Sequence, residues 1–150
     1  MQATGTKAAK KSWNLLLVED NPADRFLLQS VFREAGVQCH WRVIETGTEA
    51  MGIGKSNLEG VQPDLILLDW QLPGATGLEV LATIKKNPEW FSIPVIMLTG
   101  MRSEREVDAA KEAGAYEVLE KPMLLDEWLK IPVQINAGLQ ADLRTAAQIC

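Results

Sequence analysis

Pro63-Asp64-Leu65-Ile66-Leu67-Leu68-Asp69-Trp70-Gln71-Leu72-Pro73-Gly74 is the stretch that decides how this chain folds. Leu65 to Leu68 run without a polar break, and turn-forming residues bound the run. Such a segment reads as a strand buried on both faces of a sheet. It stops at a carboxylate, Asp69, and the Pro73-Gly74 pair forces a turn soon after. One acid is therefore held at the carboxyl end of a central strand, facing a loop. In open α/β sheets, ligands and chemistry collect at that edge.

The same signal recurs on either side. Upstream, Leu15-Leu16-Leu17-Val18 is a second buried run that ends in Glu19-Asp20. Asn21-Pro22 then reads as the cap and first position of a helix. That helix carries Leu27/Val31 and Leu28/Phe32/Ala35 at helical spacing, and Gly36 ends it. Residues 38–44 alternate and include Trp41, Val43 and Ile44, which predicts a strand at or near an edge. Residues 46–55 read as a weak helix because Gly52 and Gly54 disfavour it, and residues 56–64 as a polar loop. Downstream, residues 77–87 predict a helix with Leu78, Leu81 and Ile84 inward, and residues 88–93 a loop. Residues 94–98 are a strand ending in Thr99-Gly100, and residues 103–113 a helix closed by Gly114. Residues 117–120 are a short strand ending in Lys121-Pro122. A last helix starts near Leu125, and Pro132 is expected to kink or interrupt it, because proline lacks an N–H and clashes with the preceding turn. A β-α pattern repeated five times predicts a parallel sheet with helices on both faces.

A chain of 150 residues suffices for one domain with its own core. The expected division is a disordered, Ala-rich leader over 1–12, the domain over 13–139, and a C-terminal tail over 140–150. A net charge of −5 argues against a nucleic-acid surface, which needs a basic stripe; Lys7, Lys10 and Lys11 sit in the leader. No apolar run approaches the ~20 residues of a membrane span, and the leader has no hydrophobic segment of a secretory signal. Two cysteines, Cys39 and Cys150, make no disulfide framework, so a reduced, cytoplasmic protein is expected.

The strand ends define the candidate site. Glu19-Asp20, Asp69, Thr99 and Lys121 fall on one rim. Two carboxylates about 4 Å apart repel by roughly 4 kcal/mol at an effective dielectric of ~20, so clustered acids need a counter-charge. Their hard oxygens suit Mg²⁺, and Lys121 adds a second positive group. A divalent cation, an ammonium and a hydroxyl are the parts that hold a transferring phosphoryl group. No histidine or cysteine ends a strand, so the nucleophile would be a carboxylate. Taken singly, Asp69 could cap a turn, Asn21 a helix, and Thr99 a loop; the set in register exceeds what capping requires.

Other motifs are weaker. Gly52-Ile53-Gly54-Lys55-Ser56 resembles a phosphate loop only in part, because Glu49 stands where the first glycine belongs. Cys39-His40 has no further Cys or His nearby to complete a metal site, and His40 reads as a strand surface residue. Trp41 and Trp128 read as packing residues, and Trp90-Phe91 as a cover over the core rather than a contact patch.

Val18-Glu19-Asp20-Asn21, Asp64 through Asp69, Leu72-Pro73 with Gly77, Leu98-Thr99-Gly100, Ala113-Gly114-Ala115 and Lys121-Pro122 occur in the order found in one family. Over roughly residues 14–139 the chain resembles the receiver domain of bacterial response regulators, the CheY-like family. The resemblance implies a doubly wound, flavodoxin-like sheet of strand order 2-1-3-4-5. It implies that Asp69 accepts a phosphoryl group from a histidine kinase or a histidine phosphotransfer protein. Mg²⁺ would be bound by Asp20, Asp69 and the backbone carbonyl of Gln71, with Glu19 acting through metal-bound water. Thr99 and Lys121 would contact the phosphoryl oxygens. A downstream protein partner would use the face made by the last two helices and the last strand, and a homodimer is left open.

Three positions depart from the family's pattern. Val118 stands three residues before Lys121, where an aromatic switch residue is usual, and Tyr116 lies two residues earlier. Met101, the second residue after Thr99, is apolar and is expected to cover the approach to the phosphoryl group, which predicts slow self-dephosphorylation. Pro132 falls in the partner face.

Three functions compete. A phosphoacceptor signalling domain, stand-alone or cut from a larger protein, uses the whole acid–Thr–Lys set. A pseudo-receiver would bind partners without phosphorylation, and Val118 is the feature that favours it. An aspartyl phosphatase of the haloacid dehalogenase type would carry a second Asp where this chain has Gln71, so no enzyme activity is expected.

Overall fold

The computed structural model describes residues 12–53 and 62–149, with side chains through residue 138. Residues 1–11 of the leader, Cys150, most of the expected 56–64 loop and most of the Gly52–Ser56 motif lie outside the described residues. The elements are β1 (Trp13–Val18), α1 (Pro22–Glu34), β2 (Cys39–Ile44), α2 (Gly47–Ala50) and β3 (Leu65–Asp69). They continue as α3 (Gly77–Lys86), β4 (Val95–Thr99), α4 (Glu104–Glu112), β5 (Glu117–Glu120) and α5 (Leu125–Ile149). All strand pairs are parallel and the order is β2-β1-β3-β4-β5.

Successive strand residues point to opposite faces, and both faces here are apolar. Leu16, Val18, Ile66, Leu68, Val95 and Met97 pack on one side with Val80, Leu81 and Ile84 of α3 and Ala110 of α4. Leu15, Leu17, Leu65, Leu67, Ile96 and Leu98 pack on the other with Leu28, Val31 and Phe32 of α1 and Trp128, Ile131 and Ile135 of α5. This two-sided burial is why the central strands read as unbroken apolar runs. Each such leucine contributes roughly 1.5–3 kcal/mol by leaving water.

Local chemistry fixes where the chain turns beside the site. Asn21 Oδ1 accepts from the backbone N–H of Ala23 and Asp24, with Pro22 following in the first turn of α1. That cap ends β1 and leaves Glu19 and Asp20 at the rim. After β3 the chain passes through Gly74 and reaches α3, where Thr76 and Glu79 form a reciprocal capping box. Gly77 has to be glycine: a Cβ there would overlap the backbone carbonyl of Asp69. The helix thus packs directly against the peptide that carries the acid.

Several expectations need correction. Pro132 does not end α5, which is helical from Leu125 to Ile149 and crosses the expected boundary at 139. Ile131 and Ile135 bury the helix on either side of the proline, so packing outweighs the missing hydrogen bond. The expected helix over 46–55 contracts to Gly47–Ala50, capped by Thr46, and Gly52 lies in the turn that follows. In α3 Leu81 and Ile84 are buried as expected and Leu78 packs half-buried against the same core, with Val80 as a further buried residue. Trp90 covers the core, but its neighbour Phe91 is exposed. No helix among the described residues is long and apolar enough to cross a membrane.

Candidate functional site

β1 and β3 are neighbours in the sheet, so their ends bring Glu19, Asp20 and Asp69 together. One oxygen from each carboxylate lies within 4.8 Å of the others. Glu19 is fully buried, Asp69 is 5% exposed, and Asp20 is exposed at the mouth of the cleft. Gln71, Leu72, Pro73, Gly100 and Lys121 line the same cleft.

Lys121 is the positive centre. Its backbone N–H donates to Thr99 O at 2.7 Å, which sets its position against β4. Its Nζ lies 2.8 Å from Glu19 Oε1, 2.9 Å from Asp24 Oδ2 and 3.3 Å from Asp69 Oδ1. Burial works to lower the Lys121 pKa, but hydrogen bonds to Glu19 and Asp24 and the charges of Glu19 and Asp69 overcome it and raise it. Lys121 is therefore held as the ammonium. Glu19 moves the other way for a carboxylate. Burial first, then its hydrogen bond with Asp69, push its pKa up to about 8, against the opposing pull of Lys121.

One ammonium cannot neutralise this many acids. Glu19, Asp24 and Asp69 all share that single ammonium, at 2.8, 2.9 and 3.3 Å. The buried carboxylates of Glu19 and Asp69, with Asp20 beside them, fit a hard divalent cation with its waters. Asp69 Oδ1 also accepts a long contact from Gln71 N–H at 3.4 Å, which orients the carboxylate toward the β3–α3 loop.

Thr99 ends β4, next to β3, and is 3% exposed. Two site neighbours were not evident from sequence. Asp24, in the first turn of α1, is the second carboxylate on Lys121, and Glu106, in the first turn of α4, meets the Thr99 hydroxyl at 3.1 Å. Met101 departs from expectation. It is 77% exposed, and the backbone of Gly100, not Met101, borders the cleft. Val118 is buried, and its backbone carbonyl accepts from Arg102 Nε at 3.0 Å.

A doubly wound sheet that gathers acids, a hydroxyl and an ammonium at one switch point defines an α/β domain of the flavodoxin-like kind. The family model of the response regulator receiver domain matches residues 15–131, and the chain belongs to that family. Response regulator Rcp1 of Synechocystis sp. is 37% identical over 120 residues, covering 78% of this chain and 82% of Rcp1. The KDP operon transcriptional regulatory protein KdpE of Escherichia coli is 34% identical over 133 residues, but the match spans only 50% of KdpE. Among solved structures, the phosphorylated cyanobacterial phytochrome response regulator RcpA superposes with a TM-score of 0.74 at 31% identity, over 83% of this chain and 91% of that one. The Mn²⁺-bound form of Rcp1 gives 0.73 at 35% identity, over 83% and 92%.

Proposed function

We propose that this domain is a phosphoacceptor of a two-component relay, in which Asp69 takes a phosphoryl group from a histidine kinase or a histidine phosphotransfer protein. The observation that carries this reading is Lys121 Nζ bridging Asp69 and Glu19 beside Asp20, so that nucleophile, cation and metal-suited acids share one cleft. An Asp69 carboxylate oxygen attacks phosphorus, the new O–P bond forms, and the N–P bond of the phosphohistidine donor breaks. The departing imidazole nitrogen retains the bond's electron pair and takes a proton from water. Lys121 holds Asp69 in place and meets the charge that develops on the phosphoryl oxygens. Thr99 donates its hydroxyl to one of those oxygens. Asp20, Asp69, the carbonyl of Gln71 and, through water, Glu19 would hold Mg²⁺, which supplies charge neutralisation between the acids and the phosphoryl group.

Two relatives support the details. Rcp1 has been solved with Mn²⁺, and RcpA in a phosphorylated form. Because RcpA is a phytochrome response regulator, a phytochrome-type histidine kinase is the first protein donor to try. The output is a protein partner at the face of α4, β5 and α5. The transcriptional role of KdpE is not carried over, since half of that protein lies beyond the match.

The test is intact-mass spectrometry after incubation with acetyl phosphate. One phosphoryl group per chain is expected in millimolar Mg²⁺ and none in excess EDTA. A protein that stays unlabelled with acetyl phosphate and with kinase donors would be a phosphorylation-independent binding module instead.

Dephosphorylation gives a second expected result. Since Met101 stands outside the cleft, Met101→Ala should leave the decay of the phosphoprotein within about twofold of the parent, as for a surface substitution. Decay measured after donor removal checks this; a much faster variant would show that Met101 folds over the site in the phosphorylated state.

A further inference from the structure

The Thr99 hydroxyl carries one proton and stands between two acceptors. Glu106 Oε1 lies at 3.1 Å and Met101 O at 3.2 Å, while Met101 N–H donates back to the hydroxyl oxygen at 3.3 Å. Glu106 belongs to the first turn of α4, where its own N–H donates to the cap, Ser103 Oγ, at 3.2 Å. A carboxylate on a helix thus engages the hydroxyl at the rim of the acidic cleft. Val118 stands at the family's usual aromatic position and has no polar side-chain atom to couple with Thr99.

We propose that Glu106 is the positioning partner of Thr99: it holds the hydroxyl in the unphosphorylated protein and gives it up when Asp69 is phosphorylated, so that α4 reports the state of the site. The inference rests on the reading of Asp69 as the phosphoacceptor and of Thr99 as a donor to the phosphoryl group. One proton cannot serve Glu106 and a phosphoryl oxygen together. The phosphoryl group also brings about −1.5 to −2 charges, which repel the Glu106 carboxylate from the hydroxyl they would otherwise share. Glu106 must then turn away, and the first turn of α4 loses a tether.

The displacement has a route outward. Arg102 immediately precedes the Ser103 cap, and it bonds β5 twice, through its N–H to Glu120 Oε1 at 2.8 Å and through Nε to Val118 O at 3.0 Å. The turn that Glu106 releases is therefore continuous with the contacts between the β4–α4 loop and β5. In this chain Glu106 and Arg102, rather than an aromatic side chain at position 118, would connect Thr99 to the surface.

The test combines labelling with hydrogen exchange. Acetyl phosphate and Mg²⁺ should label the parent on Asp69, and amide exchange across residues 103–107 should rise by at least about threefold on labelling, as expected when a tether to a charged acceptor is lost. In Glu106→Ala the same amides should exchange fast already and change little on labelling. That variant should also label about three- to tenfold faster, because no bond to a charged acceptor has to be broken first. Glu106→Gln keeps a neutral acceptor and should fall between the two. In a Thr99→Val background, Glu106→Ala should have no further effect on the labelling rate. A parent labelled on Asp69 whose α4 exchange response survives intact in Glu106→Ala overturns this inference alone. A parent that takes no label at all overturns it together with the reading of Asp69.

Discussion

Asp69→Asn should take no phosphoryl group under conditions that label the parent fully, and above about pH 8 its metal-free form should melt higher than the parent. The first outcome follows from chemistry: a carboxamide lacks the anionic oxygen that attacks phosphorus. Other carboxylates do not replace it. Glu19 is fully buried and held by Lys121 and Asp69. Asp24 meets Lys121 from α1 and is absent from the lining of the cleft. Asp20 is exposed, and Lys121 makes its ion pairs with Glu19, Asp24 and Asp69 instead. The second outcome follows from charge. Above pH 8, where Glu19 is ionised, removing one acid from a cluster with a single ammonium relieves repulsion, partly offset by the lost attraction to Lys121. A net gain of about 1 kcal/mol is expected, or roughly 2–4 °C in melting temperature for a chain of this size. The pairing of the two readouts matters. A variant that is unlabelled because it is misfolded would melt lower, whereas loss of the acceptor alone leaves a more stable protein without a label. A parent-like adduct on Asp69→Asn would move the acceptor to another acid.

The strands and the rim of the sheet were legible because both depend on local sequence. Each buried run stops at the residue it delivers, as with Val18 before Glu19 or Leu68 before Asp69. Parallel connection then puts all these ends on one edge. Asp24 and Glu106 were not legible for a complementary reason. An acid in the first turn of a helix is favourable wherever helices occur, so each reads as an ordinary partner of the helix dipole. What distinguishes Asp24 is its contact with Lys121, 97 residues away, which no local pattern encodes. Pro132 errs in the other direction. The local rule predicts a kink or an interruption, but Trp128, Ile131 and Ile135 pack the helix against the sheet, and the helix is not interrupted. Met101 was misplaced because sequence gives its distance along the chain from Thr99 but not the direction of its side chain.

Millimolar Mg²⁺ should raise the melting temperature by about 3–6 °C at tenfold excess over its dissociation constant, more at pH 8 than at pH 6. The pH dependence comes from Glu19. In the unfolded chain it loses its proton near 4.5, whereas in the metal-free fold burial and the hydrogen bond with Asp69 keep the proton on until about pH 8. Between these values the native state binds more protons than the unfolded state. Metal-free stability must therefore fall as pH rises through that window and level off above pH 8, with a slope of at most about 1.4 kcal/mol per pH unit. Coupling to Asp69 and Lys121 spreads the titration and makes the observed slope smaller. A divalent cation favours the ionised carboxylates, so it removes most of this slope and contributes most where the metal-free protein is weakest. Thermal melts in EDTA and in Mg²⁺ at pH 6 and pH 8 measure all four corners. Glu19→Gln should flatten the metal-free slope, and Asp20→Asn should lose the Mg²⁺ increment. An equal increment in Asp20→Asn and the parent would put the metal elsewhere, and a metal-free stability that climbs from pH 6 to pH 8 would show that Glu19 is already ionised in the fold.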